Sequence, residues 1–598
     1  MCGLNAIYAY HPSAPPVDRS ELLRVRDRMR ARGPDGAGEW FSADGRVGLG
    51  HRRLAIIDTT ADGAQPMLSA DGRFVISFNG EIYNYRALRA DLEASGVHCQ
   101  TGSDTEVLLQ LLARDGERAL LQLRGMFALA LWDNQRRCLL LARDPFGIKP
   151  LYYADQNGTL RCASQVKALL AGVVDSAPEP AGQVGFMLWG SVPEPWTMHR
   201  GIRAVPAGHW LKIDQHGAAT AVAYADIGRI LSAAARAPSP LDRASAIDCV
   251  AAAIADSVRA HQIADVPVGA FLSAGIDSGM IADLVATPGQ RPYTLTLGFE
   301  EYVGTHNDEV PLAEALARTL DAWHSTLIVR RQDFEDEREK LLAAMDQPSI
   351  DGVNTWFIAR AAATMNLKAV LSGLGGDEMF ASYPSFRQLP RLVRYGRPFR
   401  ALPVLGRLLR RSAPLLSGFT SPKFAGLLEY SANLGSAYLL RRCLHTPWEL
   451  PALLGPELAI EGLSRLQTLP ALGRTMADNG SERLQVSALE MSWYQRNQLL
   501  RDTDWAGMAH SLEIRVPFVD LPLLGTCAPI FAAHPDISKA ELAAVAAPRM
   551  SHQGLGRSKS GFSIPVRSWL QPAHAGKAGR GLRDWARFVY QRYPGSGE

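Results

Sequence analysis

Between residues 266 and 380, strand, small-residue loop and helix follow one another repeatedly. VPVGAFL runs into SAGIDSGMIADLVA, YTLTLGF precedes PLAEALARTLDAW, HSTLIV follows, and KAVL opens onto SGLGGDEMF. Strands that alternate with helices need crossover connections, so the pattern specifies a parallel α/β sheet. Such sheets place their ligands beyond the carboxyl ends of the strands. The two loops, 271–282 and 370–380, are therefore the first candidate sites.

The chain before residue 210 reads differently. GRVGLGHRRLAIID, GRFVISFNGEIYN, GMFALALWDNQRRCLLLARD and KPLYYAD are short strands with turn punctuation. FALALWD and RCLLLARD, joined by a short polar loop, predict a hairpin. Together they predict stacked sheets with covering helices. Residues 211–243 are rich in Ala, Ser and Pro without a strong period, and are expected to be a linker. The expected division is 1–210, a linker at 211–243, and 244–598, largely helical after about 385. At 598 residues the chain is too long for one core.

A net charge of +3 gives no reason to expect a nucleic-acid partner. The seven cysteines show no CxxC pair and no zinc spacing, which fits a reducing compartment. The N-terminus lacks the marks of a signal peptide, and no apolar run reaches the ~18 residues of a membrane span. The expected location is the cytoplasm.

Glycines let a backbone approach a ligand closely, and paired acids such as Asp377 and Glu378 hold a cation. Both loops therefore read as parts of a nucleotide cradle. At the other end of the chain, loss of Met1 would leave the Cys2 thiol beside its own α-amine. That amine, with a pKa of roughly 7.7–8.0, is suited to proton transfer. Alone, Cys2 reads as a small buried residue. Downstream, however, stand RARGPDGAGEW, GHRRLAIID, FNGEIYN and TGSDTEV. With these the first half resembles the class II glutamine amidotransferases, and specifically the glutaminase half of glutamine-hydrolysing asparagine synthetases. The resemblance implies an Ntn-hydrolase-like sandwich with Cys2 as nucleophile and Asn79 and Gly80 as the oxyanion hole. It also implies Arg53 on the glutamine α-carboxylate, and Glu81 and Asp104 on its α-ammonium. Ala31 departs from the family's usual histidine.

FLSAGIDSGMIA resembles the SGGxDS loop of ATP pyrophosphatases, with Ala274 where glycine is usual. The resemblance implies an adenine nucleotide α-hydrolase-like domain that binds ATP and Mg²⁺. Leu272, Ser273, Gly275, Asp277, Ser278, Ser372 and Gly373 would lie on the nucleotide, the Leu297 backbone against adenine, and Asp277 and Asp377 on the metal. GRSKSGFSIP makes Lys559 the expected partner of the leaving pyrophosphate. In RNQLLRDTDWAGMAHSLEIRVPFVD, Glu513, Arg515 and Asp520 read as structural, and Asp502 and Asp504 as candidate acceptor-site groups.

Together the halves imply one reaction. Glutamine is hydrolysed at Cys2, a carboxylate is adenylated by ATP, and ammonia passed internally displaces AMP to leave an amide. Aspartate is the family's default acceptor, yet Leu374 stands where the best-known asparagine synthetases carry glutamate. Leucine neither accepts a proton nor orients an amine. Three alternatives follow. Intramolecular amide closure, as in β-lactam synthetases, is disfavoured by Cys2, Asn79 and Arg53. A second is the same chemistry on a carrier-bound malonyl-type acid or a sugar uronic acid. A silent glutamine or nucleotide sensor is disfavoured by the complete set of reactive groups. The arginine-rich, acid-free stretch 387–416 reads as a solvated face, or as a docking face for an acidic carrier through Arg394, Arg397 and Arg400. A homodimer is left open.

Overall fold

The computed structural model describes residues 2–286, 291–398, 406, 408, 410, 422–476, 480–550, 565, 569 and 581–593. The first half is built on two antiparallel sheets. One runs Arg203–Ala204, Tyr152–Gln156, Thr159–Ala163, Gly3–Ala9, Val47–Arg53, Gly36–Phe41. The other runs Gly217–Ala218, His209–Asp214, Cys138–Arg143, Gly125–Asp133, Phe74–Ile82, Met67–Leu68. The expected hairpin is present, closing at Asp133↔Cys138.

Period-two alternation sends Leu4, Ala6 and Leu49 from one sheet against Val75, Ala128 and Trp132 from the other, which forms a dry layer between them. The outer face of the second sheet is covered by helices Tyr85–Ala94 and Asp104–Asp115, and that of the first by Arg19–Arg28. The result is a helix–sheet–sheet–helix sandwich.

His209–Asp214 pairs with Cys138–Arg143, and Val222–Ala223 pairs with it in turn, so the sandwich continues into the segment expected as linker. The alanines of that segment hide the strand pattern, and helix Ile227–Arg236 also lies within it.

The second half carries the parallel sheet. Its order is Trp323–Val329, Tyr293–Phe299, Val268–Phe271, Ala369–Leu371, Glu513–Arg515. The chain winds outward from Val268–Phe271 in one direction and then resumes at its other neighbour, Ala369–Leu371. Order therefore reverses between the two strands that feed the small-residue loops, which is the switch point where a crevice opens. Helices cover both faces: Arg243–His261 and Ile276–Val285 on one, Val353–Thr364 on the other. Glu490–Leu500 is a π-helix that passes into the α-helix Arg501–Met508. A π-helix of this length is rare, and π segments gather at functional sites. Among the described residues no helix is long and apolar enough to cross a membrane.

Candidate active sites

The first site forms where the sandwich layers meet. In Phe74–Ile82, Ser77 and Asn79 point toward the opposite sheet: Ser77 Oγ donates to the Gly50 carbonyl, and Asn79 Oδ1 accepts from the Cys2 backbone N–H at 3.0 Å. That leaves Asn79 Nδ2 as a donor, 3.5 Å from Ser164 Oγ. Gly80 faces the other way, and a Cβ there would fall 2.1 Å from the Met126 carbonyl oxygen, so only glycine lets the strands close. Cys2 is buried, its sulfur 4.0 Å from the Leu54 carbonyl, and burial pushes its thiol pKa up.

Asp104 opens its helix and accepts from the Ile82 N–H at 3.0 Å; burial raises its pKa to about 6. Arg53 is half-buried, its guanidinium held by the carbonyls of Thr60 and Asp58. The structure thus brings Cys2 and Asn79 together and sets Asp104 behind the same strand. Glu81, near enough to Cys2 and Asp104 to act on their charges, also faces the second half, its carboxylate 3.7 Å from the Arg515 guanidinium. Burial, with Glu513 nearby, pushes its pKa well up.

The second site lies at the switch point. Gly275 N-caps Ile276–Val285 without a side-chain cap, so the helix keeps N–H groups for an anion. Ser273 and Ser278 are tied Oγ to Oγ at 2.9 Å, which closes the loop, and Ala274 does not prevent this. The two loops touch. A Cβ on Gly373 would lie 2.9 Å from Asp277 Cβ, and one on Gly376 would lie 2.4 Å from Asp277 Oδ1. The glycines of SGLGGDE are there to let the loops meet.

Between the loops stands Lys539, whose Nζ donates to Asp277 at 2.7 Å and Asp377 at 2.6 Å. Burial works to lower its pKa, but the two carboxylates outweigh burial and hold it up. Asp277 and Asp377 thus face one shared cationic group, the Lys539 ammonium. Glu378 turns away and accepts from Tyr383 OH at 2.9 Å; burial, with Asp377 adjacent, raises it to about 7. Lys559 lies outside the described residues.

A cavity of about 290 Å³ joins these groups; Leu272, Leu297, Ser372 and Leu374 line it. Its far end is walled by Asp351, Asn354 and Thr355 and by Leu499, Asp502 and Thr503 from the π-to-α helical run. Asp502 accepts from Ser349 Oγ and the Trp505 indole N–H, each at 2.7 Å; burial, then Asp351, pushes it up to about 8. Asp504 is elsewhere. Arg32 forks onto it at 2.6 and 2.9 Å while donating its Nε–H to the Cys2 carbonyl at 3.1 Å.

Sequence reasoning did not single out Arg32 or Lys539. Arg32 opens the RGPD motif. Lys539 lies inside an ordinary capping box, Ser538 to Glu541, and nothing local marks it.

A buried thiol beside an amide donor, and a nucleotide cradle with a cation position in the same chain, define a two-site amidotransferase. Residues 1–224 match the glutamine amidotransferase domain family and residues 249–589 the asparagine synthase family. The chain is 31% identical to asparagine synthetase [glutamine-hydrolyzing] 1 of Bacillus subtilis, over 99% of this chain and 90% of that one. It is 34% identical to a putative asparagine synthetase [glutamine-hydrolyzing] of Mycobacterium bovis, over 98% and 90%. It is also 30% identical to amidase chry2 of Gibberella zeae, over 65% of this chain and 60% of that one. The chain belongs to the glutamine-hydrolysing asparagine synthetase family, and it is a glutamine-dependent carbon–nitrogen ligase that draws on ATP.

Proposed function

We propose that this ligase amidates a carboxylate whose remaining groups donate hydrogen bonds, rather than one carrying a second carboxylate. The observation behind this reading is the far end of the nucleotide cavity. It presents Asp351, Asp502, Asn354 and Thr355, and no arginine or lysine among the described residues lining it. Among the described residues the α-carboxylate of aspartate would find no cation there. Hydroxyl groups, as on a sugar uronic acid, would find hydrogen-bond partners in the Asn354 amide, the Thr355 hydroxyl and the carboxyl groups of Asp351 and Asp502. Leu374 adds an apolar wall where the better-known relatives place an acid.

In the proposed cycle the Cys2 thiol attacks the glutamine side-chain amide, Asn79 Nδ2 and the Gly80 N–H receive the oxyanion, and Arg53 and Asp104 fix the amino-acid end. Glu81 would assist at the α-ammonium. Ser273, Gly275, Ser278, Ser372 and Gly373 would cradle the nucleotide, with adenine toward Leu272 and Leu297. Asp277 and Asp377 would hold Mg²⁺, which supplies charge neutralisation at the phosphates. Lys539 would follow the phosphate charge as pyrophosphate leaves, and Lys559 would share that work.

A second reading, aspartate as acceptor, is favoured by the names of the closely similar relatives. A carrier-bound acid is a third, with Arg394 in the last turn of helix Ser385–Gly396 and Arg397 at its C-cap, both exposed, as its docking charges; Arg400 lies outside the described residues. The test is pyrophosphate release with ATP, glutamine and a panel of aspartate, galacturonate-type sugar acids and carrier-bound malonate. We expect the sugar acids to exceed aspartate in kcat/KM by at least about tenfold. Asparagine formed faster than any other amide would sink this reading.

A further inference from the structure

Away from both sites, a cavity of about 500 Å³ opens at the seam between the sandwich and the helical half. That is the size of a small-molecule site. Its walls come from the 193–196 turn, the start of Ile227–Arg236, helix Thr468–Met476 and the π-helix Glu490–Leu500. Arg465, Arg474 and Arg496 line it, together with the indole of Trp493, which is fixed by its N–H on Thr475 Oγ1 at 3.0 Å.

Arg496 is the telling group. It is half-buried, and its Nε donates to the Phe146 carbonyl at 3.1 Å. Its two terminal nitrogens have no hydrogen-bond or ion-pair partner among the described residues. Burial pushes its pKa down, and Arg143 nearby adds to that, against the pull of Glu194. Two carboxylates, Glu194 and Asp226, share the cavity lining. Glu194 is held by Arg143 at 2.8 Å with Arg501 at 3.7 Å, and Asp226 caps its helix on the Arg229 N–H. Arg465 is paired with Glu179 and Glu461, whereas Arg474 is exposed and has no ion pair among the described residues. Arg496 and Arg474 thus line the cavity with no ion pair among the described residues, and an anion entering it would find two uncommitted guanidinium groups.

We propose that this seam cavity binds a small organic phosphate. Two unpaired guanidinium groups from different helices suit a dianion better than a single carboxylate, and the Trp493 face suits an organic body. The site also has a route to the reaction. Trp493, Arg496 and Asn497 face the seam, while Leu499, Asp502 and Thr503 of the same helical run face the nucleotide cavity. Occupancy at the seam therefore bears on the acceptor end.

The test is calorimetric titration of the full chain with uridine monophosphate, glucose 6-phosphate and inorganic phosphate. A non-hydrolysable ATP analogue is kept saturating so that the switch-point site is closed to the probes. We expect at least one of the two esters to bind below about 1 mM and more tightly than inorganic phosphate. Arg496→Gln and Arg474→Gln should each weaken it roughly tenfold, the loss of one charge-assisted hydrogen bond. Arg474 is exposed, so its variant keeps the test valid if Arg496→Gln fails to fold. The bound ester should also shift the KM for the acceptor in the wild type and in neither variant. No probe binding below that limit, inorganic phosphate binding as tightly as the esters, or binding untouched by both substitutions would overturn the proposal.

Discussion

At the scale of single residues, the glutamine site turns on what burial does to two groups. Cys2 carries a thiol raised by burial and depends on an adjacent base, so Cys2→Ala should abolish glutamine-driven amide formation. Activity with added ammonium salts should remain within about threefold of wild type, because the nucleotide site shares no atom with the thiol. Loss of both activities would show the sites to be inseparable. In the proposed cycle Asp104, raised to about 6 by burial, would serve the glutamine α-ammonium only when ionised. As pH falls through 6 it takes up a proton, so kcat/KM for glutamine should drop on the acid side with a midpoint near that value. Asp104→Asn should remove this limb and lower the plateau; a wild-type profile flat down to pH 5 would rule the role out. These residues were legible in the sequence because each lies in a short motif whose chemistry is local. Arg32 was not, since its partner Asp504 is 472 residues away and only the fold brings them together.

At the scale of elements, what matters is how two loops on adjacent strands come to share one cation position. The loops were legible because glycine and acid spacing after a strand is a local signal. Lys539 was not, because it arrives on the first turn of helix Lys539–Ala546, from outside either loop. The continuation of the sandwich through Val222–Ala223 was hidden in the same sense, since alanine signals strand pairing poorly. Removing the lysine ammonium leaves Asp277 and Asp377 facing each other with less compensation. We expect Lys539→Met to slow ATP-dependent pyrophosphate release at least about a hundredfold and to leave glutamine hydrolysis intact. The same variant should gain more in Tm from millimolar Mg²⁺ than wild type does, because the metal then replaces the missing cation. An equal Mg²⁺ shift in both proteins would mean that the two carboxylates do not share a metal.

At the scale of the whole molecule, the two sites are joined by charge as well as by peptide. Arg124 grips Asp520, Lys368 grips Asp35, and Arg32 bridges the Cys2 carbonyl to Asp504, all across the boundary between the halves. The Arg32–Asp504 pair is nearly sealed from water, and breaking such a pair costs about 3–5 kcal/mol because one charge is stranded. It is also placed to coordinate the two reactions. One end holds the backbone of the nucleophile. The other sits on helix Arg501–Met508, two residues beyond Asp502 in the wall of the switch-point cavity. A purely structural pair would lower stability and scale both activities together. A coupling pair would change their ratio. Asp504→Asn keeps the volume and removes the charge. We expect it to lower Tm by several degrees and to raise the glutamate formed per pyrophosphate from near one to above about three, as ammonia production proceeds without matched use. A ratio held at the wild-type value, with both rates reduced alike, would assign Arg32 and Asp504 to stability alone.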